Sequence, residues 1–160
     1  MSVRQLHNEL VLCGHNLFLN SMNDVKKWFA ERNVYCYLSY NDEKLWQNHD
    51  IFSFDKFINQ SYQETIRRIR NPVTFGVLVF NQDLYNIPNY IEPSIFASIA
   101  IAITQGKRVY LTYDYPELYE RELKSWNCKL INGELNQIYH DIKERIMIDE
   151  QQLKLFPDDI

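Results

Sequence analysis

The segment Phe75-Gly76-Val77-Leu78-Val79-Phe80-Asn81 decides the fold. From Phe75 to Phe80 no side chain carries a charge or a hydrogen-bonding group. A strand with one wet face would alternate apolar and polar residues. An unbroken apolar run is the mark of a central parallel strand covered by helices on both faces. The flanking sequence supplies those helices. Upstream, Phe54, Phe57, Ile58, Ser61, Tyr62, Thr65, Ile66 and Ile69 recur at helical spacing. Arg67, Arg68 and Arg70 crowd its end, where cations complement the helix dipole. Asn71-Pro72 stops this helix, because proline pushes the residue before it out of the helical region. Downstream, Glu92-Pro93 opens a second helix with proline in its first turn. Ile95, Phe96, Ile99, Ala100 and Ile103 make that helix apolar on most sides, and Gly106 ends it.

The alternation extends to both ends of the chain. Leu10 to Cys13 is a first buried strand that stops at Gly14. Asn20 or Ser21 can cap the helix that follows, with Met22, Val25 and Phe29 on one face. Val34 to Leu38 is a second strand, and the polar stretch Ser39 to Asp50 reads as a loop. Arg108 to Leu111 is a fourth strand, Pro116 to Trp126 a short helix, and Lys129 to Ile131 a short fifth strand closed by Asn132-Gly133. Leu135, Ile138, Tyr139, Ile142 and Ile146 form a stripe on a last helix, which base rates assign to packing on the sheet. Strands alternating with helices require right-handed crossovers. The expected fold is therefore α/β: one domain over residues 1–160, with a doubly wound, mostly parallel five-stranded sheet flanked by helices, Rossmann-like or flavodoxin-like.

Composition removes several classes of function. Lys and Arg number 17 against 21 Asp and Glu, a net charge of −4, which speaks against a nucleic-acid binder working by phosphate neutralisation. Only 4 glycines are present, and there is no GxGxxG fingerprint and no P-loop. Cys13, Cys36 and Cys128 are scattered, so no zinc site and no other metal or cofactor is expected; free thiols suit a reducing compartment. No signal peptide is visible after Met1, and the apolar stretch Ile95 to Ile103 is too short to span a bilayer. The expectation is a cytoplasmic protein with no membrane partner.

Ligands of open parallel sheets bind outside the carboxyl ends of the strands. That rule selects Gly14-His15-Asn16, Asn81 to Glu92, and Thr112 to Tyr115. Gly14 either admits a ligand close to the backbone or makes a tight turn. His15 is either a donor or acid-base group at the strand edge or a polar loop residue. Asn81, Asp83 and Glu92 suit sugar hydroxyls, and Tyr85 and Tyr90 suit the flat face of a base; the alternative is a solvated loop. Tyr113 and Tyr115 also stand at a strand end where a ring can stack.

The order of these motifs is more telling than any one of them. The block Phe75 to Asn81, followed by Asn89 to Leu111 with Gly106-Lys107 before the strand, resembles the nucleoside 2-deoxyribosyltransferase-like family. The likeness takes in Leu12-Cys13-Gly14, Pro116 to Leu123 and Leu130 to Leu135, and so runs over nearly the whole chain. It implies a Rossmann-like domain that binds a nucleoside or nucleotide, with Gly14, His15, Asn81, Tyr90, Glu92 and Ser98 at the pocket. Active members attack the anomeric carbon with a carboxylate and exchange the base. The family's nucleophilic Glu is here Ser98, its usual Gly near the helix start is Glu92, and its usual Ser after the first-strand glycine is His15. A family Asp before the third strand is replaced in the region of Val73 and Thr74. The resemblance thus implies a nucleoside- or nucleotide-binding protein with transferase chemistry lost or altered. An active N-glycosidase or deoxyribosyltransferase relying on Glu92, six residues before Ser98, is the first alternative, and a non-catalytic interaction scaffold the second. The family's habit of sharing tails between subunits adds the expectation of a homo-oligomer, with residues 150–160 as its arm.

Overall fold

The structure, a computed structural model, describes residues 7–38 and 51–155. Strand β1 (Glu9–Gly14) leads through a 3-10 turn (Asn16–Phe18) into α1 (Leu19–Ala30) and β2 (Tyr35–Leu38). Helix α2 (Ile51–Arg70), β3 (Thr74–Phe80), α3 (Pro93–Thr104) and β4 (Arg108–Leu111) follow. A second 3-10 turn (Glu117–Tyr119) opens α4 (Glu120–Ser125), and β5 (Lys129–Leu130) and α5 (Asn136–Leu155) complete the chain. The Ser39–Asp50 stretch expected as a loop, and the tail after Leu155, lie outside the described residues, as do the side chains of Phe54 and Phe57.

The sheet is five-stranded and all parallel, in the order β2-β1-β3-β4-β5. This is a doubly wound α/β fold of the flavodoxin-like order. All seven residues of β3 are buried, as its apolar run requires. Side chains alternate across its pleat and serve two cores. Leu78 and Phe80 join Leu10, Leu12, Met22 and Phe29 beneath α1 and α5. Val77 and Val79 join Val11, Ile69, Ile95, Ile99 and Leu123 beneath α2, α3 and α4. The α5 stripe packs inward, with Ile138 and Ile142 fully buried. Among the described residues no helix is long and apolar enough to cross a membrane.

Two local expectations change. The α1 cap is neither Asn20 nor Ser21: His15 caps the turn that feeds the helix, its Nδ1 accepting the Leu17 N–H at 3.1 Å. The segment Pro116 to Trp126 divides into a 3-10 turn and a six-residue helix, because Tyr119 leaves the helical region between them.

Gly14 and Gly76 sit at close contacts, and Gly106 and Gly133 at left-handed backbone positions. At Gly76 an added Cβ would lie 2.5 Å from the Arg108 carbonyl oxygen on β4. The obstacle is backbone, so the two central strands would have to separate. Gly76→Ala should cost about 1–3 kcal/mol as an overpacked core position and lower the melting temperature by several degrees. Urea unfolding of this variant beside the wild type checks the claim; a Gly76 variant as stable as the wild type would refute it.

Candidate functional site

Strands β2 and β3 lie on opposite sides of β1, so the crossovers leaving β1 and β3 diverge and open a crevice at their carboxyl ends. The register pairs Gly14 with Phe80, which sets His15 beside the loop from Asn81 to Glu92. Gly14 is itself buried, and a Cβ there would meet the Phe80 Cβ at 2.9 Å and the Met22 sulfur at 3.3 Å. Packing of the protein against itself therefore already demands this glycine.

His15 has two tasks. An Nδ1 that accepts the Leu17 N–H carries no proton, so the capping ring bears its proton on Nε2 and offers a donor there. Its ring also lies 5.9 Å from Tyr85 and 6.2 Å from Tyr90 between centroids, with buried Phe18 behind it at 6.0 Å. Tyr85 and Tyr90 are 5.9 Å apart and nearly perpendicular.

The loop that carries these tyrosines is laced to itself. Leu84 and Ile87 exchange backbone bonds of 3.1 and 2.8 Å around Tyr85-Asn86, a two-residue hairpin in miniature. Both central residues are left-handed, Tyr85 at φ 53° and Asn86 at φ 59°. The Asp83 carboxylate accepts the Asn89 N–H at 2.9 Å, and the Tyr90 N–H bonds the Gln82 carbonyl at 2.9 Å. Gln82 reaches Ser21 on α1 at 3.2 Å, which anchors the loop to the first core.

Glu92 begins α3. Its carbonyl accepts the first helical N–H groups, from Ile95 and Phe96, while its side chain makes no capping bond. The carboxyl is half-buried and, among the described residues, has neither an ion pair nor a hydrogen bond. Burial pushes its pKa above the ordinary carboxylate value, and His15 partly opposes the shift. Burial, and then the Glu92 charge, push the Tyr90 phenol up as well.

Beside this group a cleft of about 220 Å³ opens between α2 and α3, floored by Cys13 and Gly14. Among the described residues no charged side chain lines it. Ser61, Thr65 and Ser98 bring hydroxyls to an otherwise largely apolar wall. The Thr65 hydroxyl donates to the Ser61 carbonyl at 2.8 Å and the Ser98 hydroxyl to the Ser94 carbonyl at 3.1 Å. The Ser61 hydroxyl, buried to 7% exposure, makes no hydrogen bond among the described residues. Burial lifts the Cys13 thiol to about 12, so it is a protonated wall group at neutral pH and no nucleophile. Among the described residues Ser98 has no carboxylate or imidazole beside it in the cleft to take its proton, the activation a serine nucleophile needs.

The structure thus brings together His15, Tyr90 and Glu92 at the rim, and Gly14 and Ser98 in the cleft beside it. Asn81 joins neither group. It is fully buried; its amide donates to the Asp114 carbonyl at 2.6 Å and accepts the Tyr113 N–H at 2.9 Å. The expected ligand group is a clamp between the ends of β3 and β4. Tyr115 is likewise occupied, its hydroxyl bonded to the Cys128 carbonyl at 2.8 Å. Sequence position alone ranks Tyr85 with Tyr113 and Tyr115 and is silent on Ser61 and Thr65. The available signals were the Leu84-Tyr85-Asn86-Ile87 hairpin pattern and two hydroxyls one turn apart in an apolar stripe. Among the described residues no three His, Cys, Asp or Glu side chains gather to hold a metal ion.

No family model, curated protein or solved structure matches the chain.

Two outcomes follow from this geometry. Asn81→Leu takes the partner from the Asp114 carbonyl and the Tyr113 N–H, two part-buried bonds, and should cost about 1–3 kcal/mol in denaturant unfolding. Retention of wild-type stability would show that the clamp is idle. Because Glu92 holds its proton more tightly folded than unfolded, its charge costs stability as pH rises from the ordinary carboxylate value through the raised one. Glu92→Gln should therefore melt with the wild type near pH 4 and above it at pH 7; a gap that is constant with pH would refute the assignment.

Proposed function

We propose that the chain binds a nucleoside or nucleotide at the carboxyl edge of its sheet, with the transferase chemistry of the family it resembles lost or altered. One observation carries this reading: two unlike surfaces meet at Gly14-His15, on the topological switch point. On one side stand the ring faces of Tyr85 and Tyr90 and the Glu92 carboxyl. On the other lies an uncharged cleft with hydroxyls in an apolar wall. A base presents flat faces and a ring edge, and a sugar presents hydroxyls, so a molecule made of both matches the pair. The chemistry is reduced because a covalent glycosyl intermediate needs a carboxylate at the anomeric carbon. Ser98, which stands where the family's carboxylate would, is a hydroxyl bonded to its own helix.

A thermal-shift panel of nucleosides, deoxynucleosides and their monophosphates tests the reading. A ligand at about ten times its Kd should raise the melting temperature by about 3 °C. Mixed with a deoxynucleoside and a second base, the protein should give no exchange. Efficient exchange would overturn the loss of transferase chemistry, and a panel without any shift would overturn the binding itself.

The raised pKa of Glu92 favours one second reading, hydrolysis of the N-glycosidic bond. A carboxyl that keeps its proton to higher pH suits a general acid. The base would leave with the bonding electron pair and the Glu92 proton, and water would supply the hydroxyl at the anomeric carbon. Free base released by the wild type and lost in Glu92→Gln, with affinity retained, would establish this reading. Equal release by both proteins would dismiss it.

A further inference from the structure

From the three ring planes and the unpaired carboxylate we infer that the rim formed by His15, Tyr85, Tyr90 and Glu92 selects a nucleoside whose base carries a fixed positive charge, such as an N-alkylpyridinium or an N-alkylated purine. The inference rests on the nucleoside reading and names the ligand class for that same site.

The geometry of the rings is the first reason. His15 and Tyr85 cross at 88°, Tyr85 and Tyr90 at 83°, and His15 and Tyr90 at 65°. Rings so inclined, with centroids about 6 Å apart, meet edge to face and make an aromatic corner at the rim. Tyr85 is largely exposed, so part of its ring surface is open beside the other two rings, within the reach of a cation–π contact. The negative ring faces attract a charged base, and a flat one keeps a full stacking face besides.

The second reason is charge. Glu92 is half-buried beside this corner and, among the described residues, pairs with no cation and accepts no hydrogen bond. An unpaired carboxylate held away from water carries a standing cost that a bound cation offsets. Its neighbours are rings; no further acidic side chain joins it to make a metal site among the described residues. The partner that fits is organic and apolar-faced.

The third reason is strain at Tyr85. A bulky residue in the left-handed region is a genuine outlier, unlike the asparagine that follows it. The ring so held is 64% exposed, so burial does not repay the strain. Strain retained at an exposed ring, with an asparagine-tolerant turn around it, points to selection for what the ring touches.

Gly14, in the cleft floor, is the residue next to His15 in the corner, so one ligand can span both. Its sugar would meet the Ser61 hydroxyl in the uncharged cleft and its base the three rings.

Matched pairs that differ in charge test the inference: nicotinamide riboside against its reduced dihydro form, and 7-methylguanosine against guanosine. Affinities are measured by titration calorimetry at pH 7.5 for the wild type, Tyr85→Asn and Glu92→Gln. The charged member of a pair should bind the wild type about tenfold more tightly, and both variants should lose most of that preference. Tyr85→Asn should melt at or above the wild-type temperature, because asparagine accepts the left-handed turn. Equal affinity within both pairs would overturn the charge selection while the nucleoside reading stands. Binding of neither member of either pair would overturn both. A Tyr85→Asn protein that keeps the preference, or that melts well below the wild type, would make Tyr85 a packing residue and overturn its part.

Discussion

Seven consecutive buried residues in β3 leave the chain little choice elsewhere. Each backbone N–H and carbonyl of Thr74–Phe80 must find a partner away from water, and only strands on both edges can supply them. β1 and β4 do so, and Gly76 lets β4 approach where a side chain would strike the Arg108 carbonyl. The strand is also tied at its ends. The Thr74 hydroxyl donates to the Arg68 carbonyl at 2.6 Å, and the Thr112 hydroxyl to the Val79 carbonyl at 2.8 Å. Asn81 then answers two backbone groups beyond the end of β4. Because β3 is held at both ends, its register against β1 is held too, and that register sets His15 against the Tyr85–Tyr90 loop. The site is a consequence of how one strand satisfies its backbone.

What the sequence made legible were the features with a period or a punctuation mark. The apolar run of β3, the Pro93 and Gly106 limits of α3 and the inward stripe of α5 are each local patterns, and each appears in the structure as expected. The features that escaped are non-local. Asn81 reads as a ligand group because it stands at a strand end. Only the approach of β4, more than thirty residues later, reveals that its amide is already engaged. Gly14 reads as a place for a ligand, and Phe80 turns out to fill the space a Cβ would take. His15 reads as a candidate donor, and its capping bond to Leu17 fixes which nitrogen can donate. No pattern in composition announces that Tyr85, rather than an asparagine or glycine, occupies a left-handed turn position.

That turn stands because its surroundings over-determine it. The Leu84–Ile87 pair closes the hairpin, the Asp83 carboxylate grips Asn89, Tyr90 bonds Gln82, and Gln82 is anchored on Ser21. A residue in the left-handed region costs of order 1–3 kcal/mol when it is not glycine or asparagine, about the worth of one to three net hydrogen bonds. The loop therefore meets its strain within itself, without drawing on the main core. A loop so braced fixes where its two tyrosines leave the backbone, which lowers the cost of ordering them on a ligand.

The distribution of charge gives the site its direction. Where the resembling family would place a carboxylate inside the cleft, this chain has Ser98, and among the described residues no charged side chain lines the cleft. The carboxylate at the crevice stands instead at Glu92, on the rim beside the rings. A negative charge in the cleft would act on the sugar's anomeric carbon; the same charge on the rim acts on the base. An electrostatically neutral floor beneath an anionic, ring-walled rim favours a ligand with an uncharged sugar and a positive base. Such a base also leaves as a neutral molecule, without any need for a proton. On the proposed reading, a site with Ser98 in place of an interior carboxylate is matched to an N-glycosidic ligand through recognition at the base.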